Sequence, residues 1–165
     1  MEIWDIYDEN RKKTKRTVMR GNPILKGDYH LVVHVWITND KRELLIQKRQ
    51  PWKVGWPNMW DCSVAGCALS GENTQQAAIR ETKEELGIDL NINENDIFSI
   101  VRFSSGFDDT WLIRQNINID NLRLQYAEVA DAKWVKCSEI RQLILSGEFI
   151  KYDYVDKLFN LITND

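Results

Sequence analysis

The sequence lacks both the long apolar segments of membrane proteins and the leader of secreted ones. No stretch approaches the roughly 18 apolar residues that a membrane-spanning helix needs. The opening segment Met1–Asp5 is acidic and has no apolar run, unlike a signal peptide. The cysteines Cys62, Cys67 and Cys137 are odd in number and fit no disulfide or metal-ligand spacing. We therefore expect a cytoplasmic protein with no membrane association.

An excess of basic residues is also missing. The 22 lysines and arginines face 25 aspartates and glutamates, which gives a formal net charge of -3. Because nucleic-acid binders usually carry a basic excess, we expect no nucleic-acid polymer as partner. This charge balance does not exclude binding of a small phosphorylated ligand, because such a ligand needs only a locally basic pocket. No repeat, low-complexity segment or flexible linker divides the 165 residues, so we predict a single domain, 1–165.

Local patterns predict an α+β fold. Runs of β-branched and aromatic residues, bounded by turn residues, indicate strands over 2–7, 14–20, 29–38, 43–48, 61–69, 97–104, 110–119 and 131–135. The first two form an N-terminal hairpin, and the basic run Arg11–Arg16 near its tip is expected to be solvated. Helices are predicted over 74–86, with Gly87 as the C-cap, and over 138–146 and 152–163. The tryptophan-rich segment 51–60 is predicted to be a loop over the core.

Three glutamates in the first predicted helix carry the strongest chemical signal. Glu81, Glu84 and Glu85 lie at i, i+3 and i+4, which places their carboxylates on one face. Like charges at this spacing repel, whereas a divalent cation with a preference for oxygen ligands would neutralise them. Spacing alone also fits a solvated helix face. The other face carries Ala78, Ile79, Thr82 and Leu86, which are expected to pack on a sheet.

The residues around these glutamates resemble the Nudix box. Over the 23 positions from Gly66 to the apolar Ile88, seven identities recur: Gly66, Glu72, Arg80, Glu81, Glu84, Glu85 and Gly87. One position departs, because Thr82 stands where the family has an apolar residue, and its methyl group can still be buried. The resemblance implies the Nudix fold, a mixed β-sheet sandwiched between helices.

The resemblance also implies the site. Glu81, Glu84 and Glu85 would be the catalytic, metal-binding carboxylates, and the backbone carbonyl of Ala65 a further ligand of Mg²⁺ or Mn²⁺. Either Glu81 or Glu85 would orient or deprotonate the attacking water. The structural support would come from Gly66 at a tight turn, an Arg80–Glu72 ion pair, and Gly87.

Beyond the box, the chain is similar to the isopentenyl-diphosphate isomerase-like branch of the family. At matching positions Arg49 and Lys53 would contact the diphosphate of the substrate. Isomerase chemistry, however, needs a cysteine where this chain has Ala65 and a histidine where it has Cys67. The resemblance therefore implies a hydrolase that cleaves a phosphoanhydride bond in a nucleoside-diphosphate-type or other X–diphosphate small molecule. An isomerase and a non-catalytic diphosphate sensor remain as alternatives.

Several residues keep more than one interpretation. His30 and His34 share a face of their strand, and a structural or substrate-contacting role is preferred to metal binding. Asp108 and Asp109 are placed in a loop, as specificity residues or turn formers. Cys67 is a reactive thiol or an apolar filler, and Glu128 resembles a family acid that supports the metal site. The tryptophans Trp52, Trp56 and Trp60 either stack on a base or pack in the core and in a lid, and packing is preferred for Trp60. The N-terminal hairpin and the large number of aromatic residues are compatible with a homodimer.

Overall fold

The computed structural model describes residues 2–164, so both ends of the predicted 1–165 unit, residues 1 and 165, lie outside it. Its elements, in chain order, are β1 (Ile3–Tyr7), β2 (Lys13–Met19), β3 (His30–Thr38), β4 (Leu44–Arg49), β5 (Trp60–Asp61), β6 (Val64–Cys67), α1 (Thr74–Leu86), β7 (Ile97–Arg102), β8 (Gly106–Arg114), β9 (Val129–Val135), α2 (Cys137–Leu145) and α3 (Val155–Asn164), with 3-10 turns at Glu94–Asp96 and Ile119–Asn121.

A mixed sheet forms the centre of the molecule. Its strand order is β5-β4-β3-β8-β7, and β6 pairs with β3 while β9 pairs with β4. Strands β3 and β8 run parallel and the other pairs run antiparallel. The antiparallel hairpin of β1 and β2 stands apart as a two-stranded sheet. These features confirm the predicted α+β fold with its N-terminal hairpin.

Alternation along β3 creates two core layers. Val35 and Ile37 point to one face, where Ala78 and Leu86 of α1 pack against them. Trp36 points to the other face and packs with residues of α2 and α3. The sheet therefore lies between α1 on one side and α2 with α3 on the other, as predicted.

Helix α1 is bounded by local signals that the sequence carries. Asn73 is its N-cap in a capping box with Gln76, and Gly87 follows it with φ of 73°, donating its N–H to the carbonyl of Lys83. The predicted bounds 74–86 and the C-cap are confirmed. The predicted apolar face was wrong at Ile79, which is exposed, because Ala77 takes its place against the sheet.

Three other element predictions were wrong. The predicted strand 61–69 is two strands, because the chain changes its pairing partner from β4 to β3. Buried Ser63 occupies the gap and bonds to Leu45 O and Ile37 N. The predicted strand 110–119 lies earlier, at Gly106–Arg114, so Asp108 and Asp109 are in β8 rather than in a loop. Helix α3 begins at Val155 instead of 152.

The basic run at the hairpin is not simply solvated, contrary to expectation. Arg11 forms an ion pair with Asp109 of β8, Lys13 with Asp5, and Arg16 with Asp28. These carboxylates are largely buried. Arg11 and Arg16 attach the hairpin to the rest of the fold, whereas Lys13 joins the two strands of the hairpin. No helix in the described part of the chain is long and apolar enough to cross a bilayer.

Candidate active site

One cavity of about 220 Å³ brings together the candidate ligand-binding residues. Its walls include the glutamates of α1, the backbone at β6, and side chains from the hairpin and from two loops. The residues expected to bind metal or substrate all line it: Glu81, Glu84, Glu85, Ala65, Arg49 and Lys53. Gly66 and Arg80 also line it, whereas Glu72 and Gly87 do not.

Arg80 joins α1 to the loop that precedes it. Its guanidinium donates to both carboxylate oxygens of Glu72, at 2.8 and 2.9 Å, and to the carbonyl of Cys67 at 3.0 Å. Burial opposes ionisation of Glu72, but the bonds from Arg80 and from Leu69 N–H outweigh it and hold its pKa below the usual value. This two-pronged contact fixes the loop on the helix.

Gly66 is required by the close approach of Glu81. A Cβ at position 66 would lie 2.3 Å from Cδ of Glu81, so any other side chain would displace the carboxylate. Burial raises the pKa of Glu81, although Arg80, 3.0 Å away, opposes the rise. The glycine thus allows a carboxylate to lie directly against the backbone of β6.

Glu85 is the most buried acid of the cavity. It is 6% exposed, and Gln47 of β4 donates to its carboxylate at 2.8 Å. Burial raises its pKa to about 8. No lysine or arginine within residues 2–164 forms a salt bridge with it. A buried carboxylate without a counter-charge is stabilised by a cation.

The oxygen atoms of the cavity are of the kind that a hard divalent cation binds, but two of the carboxylates would have to move. Carboxylates at Glu81, Glu84 and Glu85 and the carbonyl at Ala65 are the oxygen donors that Mg²⁺ and Mn²⁺ prefer. Arg80 holds Glu81 and Glu84, the latter at 3.2 Å, and no three acidic, histidine or cysteine side chains of the described residues converge as ligands. Metal binding would therefore require both carboxylates to turn away from Arg80.

Three basic side chains besides Arg80 line the same cavity. Arg49 donates through Nε to the carbonyl of Gly55 at 3.0 Å, and Lys53 forms an ion pair with Glu128. Arg20, at the end of the hairpin, pairs with Glu2 at 2.7 Å. Arg20 and Glu2 were missed, because nothing local in the sequence shows that the hairpin reaches this cavity.

The residues left open have distinct positions. His30 is buried, stacks on Trp4 with ring centroids 4.6 Å apart, and lies 2.7 Å from Ser105 O, away from the cavity. Burial lowers its pKa, which fits a structural role. Cys67 lines the cavity, but burial raises the pKa of its thiol to about 12, so it stays protonated at neutral pH.

Asp109 makes contacts that stabilise the fold. It pairs with Arg11 and accepts a hydrogen bond from Thr74 Oγ1 at 2.6 Å, joining the hairpin to the first turn of α1.

Glu128 lines the cavity. Trp60 is buried in the core, whereas Trp52 and Trp56 are 53% and 59% exposed.

Comparisons with known proteins agree with this geometry. The family model of the NUDIX domain matches residues 28–158. A Nudix hydrolase of Listeria monocytogenes is 50% identical over 161 residues, which covers 98% of this chain and 95% of the relative. A crystal structure of a Deinococcus radiodurans protein has a TM-score of 0.72 at 24% identity, covering 99% of this chain and 98% of that one.

An isopentenyl-diphosphate delta-isomerase of Salmonella heidelberg is 32% identical over 85 residues, 52% of this chain and 47% of the relative. The likeness to the isomerase branch is therefore partial. The chain belongs to the Nudix family, and it is an enzyme of the Nudix hydrolase class.

Proposed function

We propose that this enzyme hydrolyses a phosphoanhydride bond in an X–diphosphate small molecule, with nucleoside diphosphate derivatives as the first class to test. One observation carries the proposal. A single cavity is lined both by the carboxylates of α1 and by the basic side chains of Arg20, Arg49 and Lys53. Such a site can hold a metal ion and the oxygens of a diphosphate side by side.

The residues that line the cavity have different proposed roles. Glu81, Glu84, Glu85 and the carbonyl of Ala65 would hold Mg²⁺ or Mn²⁺, which neutralises diphosphate charge and lowers the pKa of a bound water. Arg49 and Lys53, with Arg20, would hold the diphosphate oxygens. Glu85 and Glu81 are the two candidates to orient the water or accept its proton.

The alternatives are weaker. Isomerisation needs a proton-transferring side chain, and Ala65 has none. A sensor without turnover would have no use for an intact glutamate array. We further propose that residues 1–165 act as one cytoplasmic domain on a small molecule, and a homodimer is a hypothesis for a sedimentation experiment.

A substrate screen tests this function. The purified protein is incubated with nucleoside di- and triphosphates, nucleotide sugars, dinucleotides and isoprenoid diphosphates, with Mg²⁺, Mn²⁺ or a chelator, and phosphate or nucleotide release is measured. Metal-dependent release from at least one compound is expected. The Glu85→Gln variant should lose it, whereas Glu94→Gln, an exposed acid outside the cavity, should keep it. Proton exchange on isopentenyl diphosphate without hydrolysis would favour the isomerase instead.

A further inference from the structure

Gln47 of β4 makes a hydrogen bond to the most buried carboxylate of the candidate active site. Its side-chain amide donates through Nε2 to Oε2 of Glu85 at 2.8 Å. Both side chains are buried, with Gln47 2% and Glu85 6% exposed. Among residues 2–164, no other side chain or N–H donates to the carboxylate of Glu85. The orientation of this carboxylate therefore depends on one neighbour, to which the proposed function gives no role.

The position of Gln47 in the sheet directs its side chain toward α1. Side chains alternate along β4, and Leu45, two residues earlier, belongs to the core layer that includes Leu86 of α1. Gln47 pairs with Ala132 of β9, which lies in the same layer. A side chain at position 47 therefore faces α1, where a glutamine is long enough to reach Glu85.

The amide of Gln47 is only half satisfied. Its carbonyl oxygen, Oε1, is buried and has no hydrogen-bond partner in the described part of the chain. A buried polar atom without a partner costs free energy, and a methionine of similar size would avoid that cost in an apolar layer. Packing of the core therefore does not explain a glutamine here, whereas the bond to Glu85 does.

A neutral donor also suits the charges around it. Gln47 pairs with Asp61 of β5, whose carboxylate is buried as well. A glutamate at position 47 would add a further negative charge beside Glu85, and a lysine would form an internal ion pair that competes with a bound cation. An uncharged N–H group can orient the carboxylate and leave its negative charge for the cation.

We propose that Gln47 is a positioning residue of the active site, whose amide holds the carboxylate of Glu85 in the orientation that binds the divalent cation. The inference rests on the proposed function, in which Glu85 is a metal ligand. Glu81 and Glu84 form ion pairs with Arg80 and would have to leave them, whereas Glu85 is held by a neutral partner that it can keep. The cation would therefore meet one ligand that is already oriented.

The affinity for Mn²⁺, measured by electron paramagnetic resonance without substrate, tests this role. Gln47→Met keeps the length of the side chain and removes the N–H donor, and we expect the affinity to fall about tenfold or more. Gln47→Asn, whose amide is one methylene group too short to keep the bond, should show a similar loss. Leu45→Met, a buried substitution on the same face of β4, is the matched control and should stay within about twofold of wild type. An unchanged affinity in both Gln47 variants, or an equal loss in Leu45→Met, would overturn the proposal.

A double-mutant cycle separates positioning of Glu85 from a general effect on packing. If Gln47 acts through Glu85, Gln47→Met should change the Mn²⁺ affinity by less than about twofold when Glu85 is already replaced by glutamine. A loss of the same size in both backgrounds would overturn the proposal.

Kinetics distinguish failure of this proposal from failure of the proposed function. With a compound that the enzyme hydrolyses, Gln47→Met should lower kcat about tenfold or more and leave KM within about threefold, because Gln47 acts on the metal ligand rather than on the substrate. A normal kcat in this variant would overturn the role of Gln47 and leave the hydrolase intact. If no compound were hydrolysed, the proposed function would fail, and the Mn²⁺ cycle would still decide the role of Gln47.

Discussion

The carboxylate of Glu81 lies so close to Gly66 that a Cβ there would come within 2.4 Å of Oε1. The contact connects the first helix to β6 at the wall of the cavity, and it explains a glycine at this position without appeal to backbone conformation. The position of Glu81, the proposed metal ligand, therefore depends on the absence of a side chain on the neighbouring strand.

Replacing Gly66 by alanine should lower turnover strongly with a smaller effect on folding. The added methyl must shift the side chain of Glu81, because the nearest atoms are the carboxylate and Cγ of that residue. We expect a destabilisation of about 1–3 kcal/mol by urea unfolding and a fall in kcat of about a hundredfold or more. Gly55→Ala is the matched control, since a Cβ there meets nothing within 4 Å. Full activity in Gly66→Ala would show that Glu81 is not needed where it lies.

Removing Arg80 should release the loop from the helix. The Arg80→Ala variant leaves Glu72 without its two bonds, and we expect a loss of about 1–3 kcal/mol in the free energy of unfolding. A double-mutant cycle with Glu72→Gln should give a coupling energy of about 1 kcal/mol or more. Strictly additive effects of the two substitutions would contradict the ion pair as a stabilising contact.

The sequence predicted the elements whose signals are local and missed those that depend on distant residues. Helix α1 has its caps at Asn73 and Gly87 within its own segment, so its bounds followed from the chain. The start of β8 depends instead on Gly106, where a Cβ would meet Phe103 and the carbonyl of His30. No local pattern contains that contact, and the strand was therefore placed too late.

The same difference between local signals and distant contacts applies to the residues of the candidate site. The acids and the glycine of the box lie within one stretch of 22 residues, Gly66 to Gly87, and a resemblance can mark them. Arg20 reaches the cavity because the hairpin packs against the rest of the fold, and the ion pair Arg11–Asp109 that holds the hairpin there joins residues far apart in sequence. Such pairings follow from tertiary packing.

Substitution of Arg20 tests whether the basic side chains of the cavity bind the substrate. If it contacts substrate, Arg20→Ala should raise KM about tenfold or more while kcat changes little, because a charge-assisted bond made equally in ground and transition states affects binding only. Arg114→Ala is the control, since that arginine pairs with Asp40 on the exposed surface. An unchanged KM for Arg20→Ala would remove this residue from the substrate site.

The hairpin should contribute stability that depends on pH through Asp5. Burial disfavours its charge, but bonds from Lys13, Gly71 N–H and Ser70 outweigh this and lower the pKa of Asp5. A lowered pKa means that the stabilisation is present above the unfolded value, about 3.9, and is lost as the pH falls through the folded value. Asp5→Asn should therefore be less stable than wild type by about 1–3 kcal/mol at neutral pH. The gap should close in urea unfolding below about pH 4, and a gap independent of pH would count against this role.

Binding of a divalent cation by the glutamates of α1 can be measured with Mn²⁺ in the absence of substrate. Titration followed by electron paramagnetic resonance gives the affinity of wild type, Glu85→Gln and the exposed control Glu94→Gln. We predict saturable binding in wild type and in the control, and an affinity at least about tenfold weaker in Glu85→Gln, because an amide cannot ionise to give the carboxylate that would bind the cation. Equal affinities in all three proteins, or no binding in wild type, would show that these glutamates do not bind the cation.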